Sequence, residues 1–383
     1  MKKFISLIKT FISLLNIYFL FNFSKKKLKI VMFYFPVKIY QENLLEIIKK
    51  LDKKNCTVLL AYNSSSIFEI KNQKNSFFLD FNFIKFIPFK NFFLKNIKIF
   101  LSSYLVYVFP PKSKNIYISH DIYDAPMINK SLEKKMFLGI NKLDYIFTSS
   151  EISSEYFISK FNKYKIKSNT KLINTGYSKL DHVAKKINNK NNNKKDSILI
   201  APGFTYTLKK FNMSRYLEKN INLLLKETND KIVYRPHPLD SSAKGDIFFV
   251  NKISSKFKDN PRFFIDLSVS YLDSYKRAKF MITDLSSTAY TFAFSTERPV
   301  IFFSKNEPNL KKDLLSNSHY FDDRNKIGKI INNHKQLSKE LGLIHSKMNK
   351  YKNQIKELRK KRIKHFGKAS EVTVKKIEYI LKT

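Results

Sequence analysis

The sequence predicts an α/β protein: two doubly wound, parallel-sheet domains behind an N-terminal apolar helix. Three observations carry this. Short β-rich runs alternate with helical segments along most of the chain, the alternation stops once at an Asn/Lys tract, and then it restarts. The 383 residues, 43% of them hydrophobic, are too many for one ordinary core and enough for two. Repeated βα units imply parallel sheets covered on both faces, so the chain reads as two Rossmann-like domains facing across a cleft.

The first element is the stretch "MKKFISLIKTFISLLNIYFLFNFSKKKLK", with a basic start, an apolar run and a second basic cluster. No small-residue cleavage site follows, so a secretory signal does not fit. The length allows a spanning helix. Ser6, Lys9, Thr10, Ser13 and Asn16 recur at helical spacing, and this stripe favours an amphipathic, membrane-associating helix over residues 1–28. A helix packed on the protein's own core is the remaining alternative.

The first domain is expected over 29–184, through "KIVMFYF" (29–35), helical 42–51, "CTVLLAY" (56–62), a Phe-rich stretch 77–109, "NIYIS" (115–119), helical 132–143, "DYIFTS" (144–149) and "KLINTGYSKLD" (171–181). The Asn/Lys tract 185–196 is the expected linker. The second domain is expected over 197–383: "SILIAP" (197–202), helix 213–227, "KIVYRP" (231–236), a helix near 243–257, "RFFID" (262–266), "SYLDSYKRA" (270–278), "KFMIT" (279–283), a helix from Ser286, "PVIFF" (299–303) and charged helices over 324–382.

Lys and Arg number 72 against 31 Asp and Glu, a formal charge of +41. Base composition explains many lysines but not the shortage of acids. The excess suits an anionic partner: nucleic acid, acidic lipid headgroups or a phosphate-rich substrate. No nucleic-acid-binding motif is found, and the aromatics follow apolar β or helical patterns, so nucleic acid is not expected. The lone Cys56 rules out a disulfide framework and fits a reducing cytoplasm.

In open α/β sheets ligands sit beyond the carboxyl ends of the strands. Five such ends are chemically loaded: His120 and Asp121; Gly176 and Tyr177; Pro202, Gly203, Phe204 and Thr205; Arg235 and His237 between two prolines; and Asp284 followed by Ser286, Ser287 and Thr288. Hydroxyls at a helix N-terminus, beside free N–H groups and the positive dipole end, suit phosphate, although Asp and Ser also serve as ordinary caps there.

These segments resemble the CDP-glycerol glycerophosphotransferases, which build teichoic-acid-like polymers on the GT-B fold. "TGYSKLD" (175–181), "ILIAPGFT" (198–205), "YRPHP" (234–238) and "ITDLSSTAYTFAFSTERPVIFF" (282–303) occur in the family's order, and the resemblance covers roughly 115–305. The first-domain histidine segment departs from the family pattern, reading "SHDIYDAP", and "YSKLD" lacks the family's Pro-Arg pair. The resemblance implies a transferase moving glycerol phosphate, or a related polyol phosphate, from a CDP-activated donor to a hydroxyl of a membrane-associated glycan, releasing CMP.

By the same resemblance, His120 is the general base, with Asp121 orienting it or contacting the acceptor. Ser286, Ser287 and Thr288 hold the donor diphosphate, Arg235 and His237 neutralise its charge, and Gly203, Thr205 and Asp284 line the site. No cofactor and no metal is implied. The expected partners are the donor, an anionic or lipid-linked acceptor and the anionic inner leaflet, with the enzyme peripheral on the cytoplasmic face. A GT-B glycosyltransferase using a CMP-sugar and a non-hydrolysing sugar-nucleotide epimerase share these motifs or this fold.

Overall fold

The structure is a computed structural model and describes residues 2–22, 29–36, 43–53, 56–63, 75–106, 108–123, 130–188, 195–205, 212–241, 246–268, 270–313 and 318–383. It forms two units. The first comprises residues 1–120, 129–179 and 364–383, and the second 121–128 and 180–363. Within each, the expected βα alternation folds into one parallel sheet.

The first unit's sheet contains β1 (Ile30–Phe35), β2 (Thr57–Tyr62), β3 (Ser76–Phe78), β4 (Ile97–Ser102), β5 (Lys114–Ile118), β6 (Tyr145–Thr148) and β7 (Lys171–Asn174), in the order β3-β2-β1-β4-β5-β6-β7. All six residues of β1 are buried, as a strand covered on both faces requires. The Phe-rich stretch resolves into two short helices, Phe81–Ile84 and Lys90–Leu94, and β4, which pairs with β1 at the centre of the sheet. Residues 364–383 belong to this unit, whereas the sequence assigns them to the second domain. The reason is packing: helix Ala369–Ile380 sets Val374, Ile377 and Ile380 into the core formed by β1, β4 and β5.

The second unit's sheet contains β8 (Ser197–Ile200), β9 (Lys231–Tyr234), β10 (Phe263–Ile265), β11 (Ala278–Thr283), β12 (Val300–Phe303) and β13 (Gly328–Ile331), in the order β10-β9-β8-β11-β12-β13. β13, "GKII", falls inside what reads as a charged helical end. A four-residue strand that itself contains Lys329 gives too short an apolar run to stand out beside so many lysines. The expected linker begins inside helix Ser178–Asn188, and its residues 189–194 lie outside the described ones.

The N-terminal helix, Lys2–Asn22, packs on its own unit through its hydroxyl-bearing face and turns its apolar face outward. Ser6, Thr10 and Ser13 face inward with Leu14 and Ile17. A buried hydroxyl without a partner costs about 1–3 kcal/mol, and two of these hydroxyls find partners. The Thr10 hydroxyl donates to Ser6 O at 2.8 Å and accepts from Asp80 N at 3.2 Å, while Ser6 Oγ donates to Asp80 Oδ2 at 3.3 Å. The outward face carries Phe4 (67% exposed), Ile5, Ile8, Phe11, Ile12 and Phe19. From Phe4 to Asn22 the helix is long and apolar enough to cross a membrane, with a mean hydropathy of 1.9.

Candidate active site

The second unit's sheet changes direction between β8 and β11. The chain winds outward from β8 through β9 to β10, then returns to the other side of β8 at β11. A crevice at such a switch point, beyond the carboxyl ends, is where open α/β sheets bind ligands. Ile200 stands level with Tyr234 on one side and with Ile282 on the other. Three of the five loaded segments, Ala201–Thr205, Arg235–Asp240 and Asp284–Thr288, therefore leave the sheet side by side.

Asp284 ties them together. Its buried carboxylate accepts from Gly203 N at 2.7 Å, Leu285 N at 2.6 Å and Met213 N at 2.8 Å. Burial pushes this carboxyl up, and the three N–H bonds with the Arg324 charge pull it back. Arg324 also donates to Asp284 O at 2.8 Å while pairing with Glu307. The approach is close: a Cβ at Gly203 would stand 3.1 Å from Asp284 Oδ1, so any larger residue would press on this carboxylate. Asp284, expected to line the substrate, thus acts by folding both loops around one buried carboxylate.

Thr205 is held by Asp240, whose Oδ2 accepts from its hydroxyl at 2.9 Å and from its N–H at 3.2 Å. Asp240 ends the "RPHPLD" turn, so it joins the β8 and β9 loops; the sequence reading did not assign it. Arg235 likewise has a partner within the protein. Its Nη1 donates to Asp266 Oδ2 at 2.6 Å and its Nη2 to Ser268 O at 2.9 Å, and both charged side chains are mostly buried. The guanidinium expected to neutralise phosphate thus also braces the turn after β10.

His237 is partly buried and stacks against Phe204, ring centroids 5.3 Å apart. Its Nδ1 accepts from Leu239 N at 3.2 Å, and burial pushes the imidazole down to about 4. The ring is therefore neutral at pH 7, with its proton on Nε2, and it offers a hydrogen bond where the sequence suggested a cation.

Ser286, Ser287 and Thr288 are partly exposed at the start of helix Thr288–Thr296. Ser287 is the N-cap residue and no side chain caps the helix; Ala289 N and Tyr290 N donate to Ser286 O at 3.1 Å and Ser287 O at 3.2 Å, which leaves the N–H groups of Ser286–Thr288 as the candidates for an anion. Thr288 Oγ1 lies 2.5 Å from the hydroxyl of Tyr275, an unassigned residue that fixes its orientation.

In the first unit, His120 and Asp121 follow β5 directly. His120 Nδ1 lies 2.6 Å from the hydroxyl of Tyr117, three residues back on the strand. Tyr177, from the "TGYSKLD" segment, donates its hydroxyl to His120 O at 2.6 Å. Gly176 turns with φ +80°, and a Cβ there would stand 3.0 Å from that of Ala369. Among the described residues no group of three or more His, Cys, Asp or Glu side chains gathers as a metal ligand set.

Residues 116–379 match the family of CDP-Glycerol:Poly(glycerophosphate) glycerophosphotransferase, and the chain belongs to that family. It is a glycerophosphotransferase-like transferase with CDP-glycerol as the family's donor. A variant of the wall teichoic acid polymerase TagF soaked with CDPG superposes with a TM-score of 0.65 at 17% identity, covering 100% of this chain and 97% of that one. S. aureus MnaA, in a co-structure with UDP, gives 0.62 at 14%, covering 93% and 97%. The UDP-GlcNAc 2-epimerase from Methanocaldococcus jannaschii gives 0.59 at 14%, covering 92% and 100%. These likenesses establish the GT-B fold. A search of curated proteins finds no significant match.

The state of His237 is testable. Its folded pKa lies below the ordinary 6.5, so below about pH 6.5 the unfolded chain takes up a proton that the folded chain does not. Stability contributed by this group is full above pH 6.5 and is lost as pH falls towards 4. Histidine nitrogen NMR of the ligand-free protein at pH 6 is expected to find a neutral, Nε2-protonated ring; an imidazolium signal at that pH contradicts the assignment.

Proposed function

We propose that the chain transfers glycerol phosphate from CDP-glycerol to a hydroxyl of a membrane-associated glycan or polymer and releases CMP. The observation that carries this reading is the alignment of Gly203, His237 and the uncapped turn at Ser286–Thr288 on the carboxyl edge of one sheet, in a member of a CDP-glycerol-dependent family. The donor diphosphate sits on the N–H groups and hydroxyls of Ser286–Thr288, with His237 Nε2–H donating to a phosphate oxygen. The acceptor oxygen attacks the phosphorus bearing glycerol, and the bond to the bridging oxygen breaks. CMP departs with that oxygen and its electron pair, and the acceptor proton passes to His120 Nε2.

In such a transfer the protein mainly positions the reactants and stabilises charge on the phosphoryl oxygens. A neutral donor at His237 suits that task, because it binds the diphosphate without requiring protonation. A general base contributes roughly 10²–10⁴-fold. The epimerases of the same fold are a weaker reading, since the family match separates this chain from them.

The acceptor end of this reading rests on the surface of the first unit. The exposed apolar face of helix Lys2–Asn22 adjoins helix Lys90–Leu94, where Tyr18 and Phe92 have centroids 5.1 Å apart. Phe86 and Phe89 are exposed close by in the chain. Lys85 lies over the Phe86 ring at 4.8 Å and Lys95 over the Phe92 ring at 4.2 Å. Aromatic rings flanked by lysines suit the boundary of an anionic leaflet, with rings among the acyl chains and ammonium groups at the phosphates. We therefore propose a peripheral enzyme on the cytoplasmic face of the membrane.

Two measurements test this. His120→Ala and His237→Ala are each expected to lower CMP release from CDP-glycerol, with a poly(glycerophosphate) acceptor, by about 10²-fold or more while the far-UV circular dichroism is kept; full activity in both removes the mechanism. Sedimentation with vesicles containing anionic lipid is expected to carry down the full chain, and Phe4→Ser/Phe11→Ser/Phe89→Ser to leave most of it in solution. Equal binding by both proteins counts against this face.

A further inference from the structure

The second unit gathers cations at the edge of its sheet opposite the candidate donor site. β8, β11 and β12 lie side by side there, and Ser197 stands level with Ala278. Lys195 and Asp196 lead into β8, Arg277 into β11 and Arg298 into β12. These are the amino ends of the strands, whereas Ala201–Thr205 and Asp284–Thr288 leave from the carboxyl ends.

Arg298 is the buried member of the group, 7% exposed. Its Nη1 donates to Tyr275 O at 2.8 Å, to Lys276 O at 3.0 Å and to Ala278 O, which closes helix Leu272–Arg277. The other side of the guanidinium, Nε with Nη2, is the fork through which Arg277 grips Asp196 and Arg362 grips Asp323. On Arg298 this fork is unused: Nε is buried with no partner, and all three bonds are made by Nη1. Burial pushes the Arg298 pKa down to about 10, so the group is still a cation at neutral pH. A buried charge without a counter-charge is costly, and an anion at the fork would offset that cost.

The carboxylates nearby are already shared. Asp196 pairs with Arg277 at 2.6 Å and with Lys231 at 3.0 Å. Glu297 pairs with Arg359 at 2.8 Å and with Lys356 at 3.4 Å. Lys195 and Lys352 are exposed, and among the described residues neither has a carboxylate partner. The Arg298 charge, burial and the Lys352 charge push the Lys195 ammonium down, in that order of weight, so the three cations feel one another. Lys352 also opens a row: Lys352, Lys356 and Lys360 recur every four residues on the exposed side of helix Met348–Arg362. Four helical residues rise about 6 Å, and regularly spaced ammonium groups suit a linear polyanion better than one small ion.

We propose that Arg298, Lys195 and Lys352 form a phosphate site away from the donor crevice, which holds a phosphodiester of a poly(glycerophosphate) acceptor beyond its reacting end. Guanidinium forks match phosphate oxygens in pairs, and the lysine row carries the chain onward along the helix. The proposal rests on reading the acceptor as a phosphate polymer, and it gives the second unit a hold on that polymer.

The test compares the full chain with Lys195→Ala/Lys352→Ala. Both side chains are exposed, so thermal unfolding is expected to be unchanged, and Arg298 is left in place because it closes a helix. Calorimetry measures binding of long poly(glycerophosphate) at several salt concentrations, and of a glycerol phosphate dimer and CDP. Sedimentation measures binding of vesicles containing anionic lipid. Loss of two exposed charge contacts is expected to weaken binding of the long polymer by about threefold to tenfold. The salt dependence is expected to flatten, with dimer and CDP affinities unchanged. In turnover the variant is expected to raise KM for the long acceptor and keep kcat, because a hold remote from the chemistry acts equally on ground and transition states. Equal affinity of both proteins for the long polymer overturns the site and leaves the transfer reading standing. So does a variant that loses the vesicles but keeps the polymer, which makes the cluster a lipid-headgroup site. An equal loss for dimer and polymer, or a loss of CDP affinity, also overturns it. A wild-type chain that holds the polymer through these lysines yet releases no CMP from CDP-glycerol supports the site and overturns the transfer reading instead.

Discussion

The carboxylate of Asp284 is the interaction on which the candidate donor site depends. It is buried at the switch point of the second sheet, and burying a charge there costs several kcal/mol unless it is matched. Three backbone N–H groups from Gly203, Met213 and Leu285 match it, and Arg324 adds a nearby positive charge. Each of these donors belongs to a loop that would otherwise be free to choose its own path. Satisfying one charge therefore shapes the β8 loop and sets the start of the β11 turn. The uncapped helix start at Ser286–Thr288 follows from that geometry.

Around this centre the polar side chains divide into two kinds. Asp240, Arg235 and Tyr275 bind other parts of the protein: Thr205, Asp266 and Thr288 respectively. His237 and the N–H groups at Ser286–Thr288 retain hydrogen-bonding capacity directed to something other than their own loops. The turn that carries His237 is stiffened by Pro236 and Pro238, and its ring is held against Phe204. Rigid donors that need not reorganise are what charge stabilisation in phosphoryl transfer asks for.

Much of this was legible in the sequence, because period and position carried it. Parallel strands buried on both faces give apolar runs such as "IVMFYF" and "VIFF", and the strand-end rule then leads to His120, Gly203, His237 and Ser286–Thr288. What the sequence could not supply was partner choice. Nothing in the sequence around Arg235 indicates that Asp266, thirty-one residues on, pairs with it. The N-terminal helix is the sharpest instance. Its hydroxyl stripe has the spacing of a water-facing surface, but Asp80, seventy residues away, turns that stripe inward and leaves the apolar face outside. A polar stripe in sequence records only that one face differs from the other, and tertiary pairing decides which face meets solvent.

A structure with CDP bound tests the central claim most directly. The account predicts that the diphosphate lies within hydrogen-bond distance of the N–H groups at Ser286–Thr288 and of His237 Nε2, with Asp284 still bonded to Gly203, Met213 and Leu285. CDP phosphates bound elsewhere on the chain, with this turn unoccupied, would contradict it.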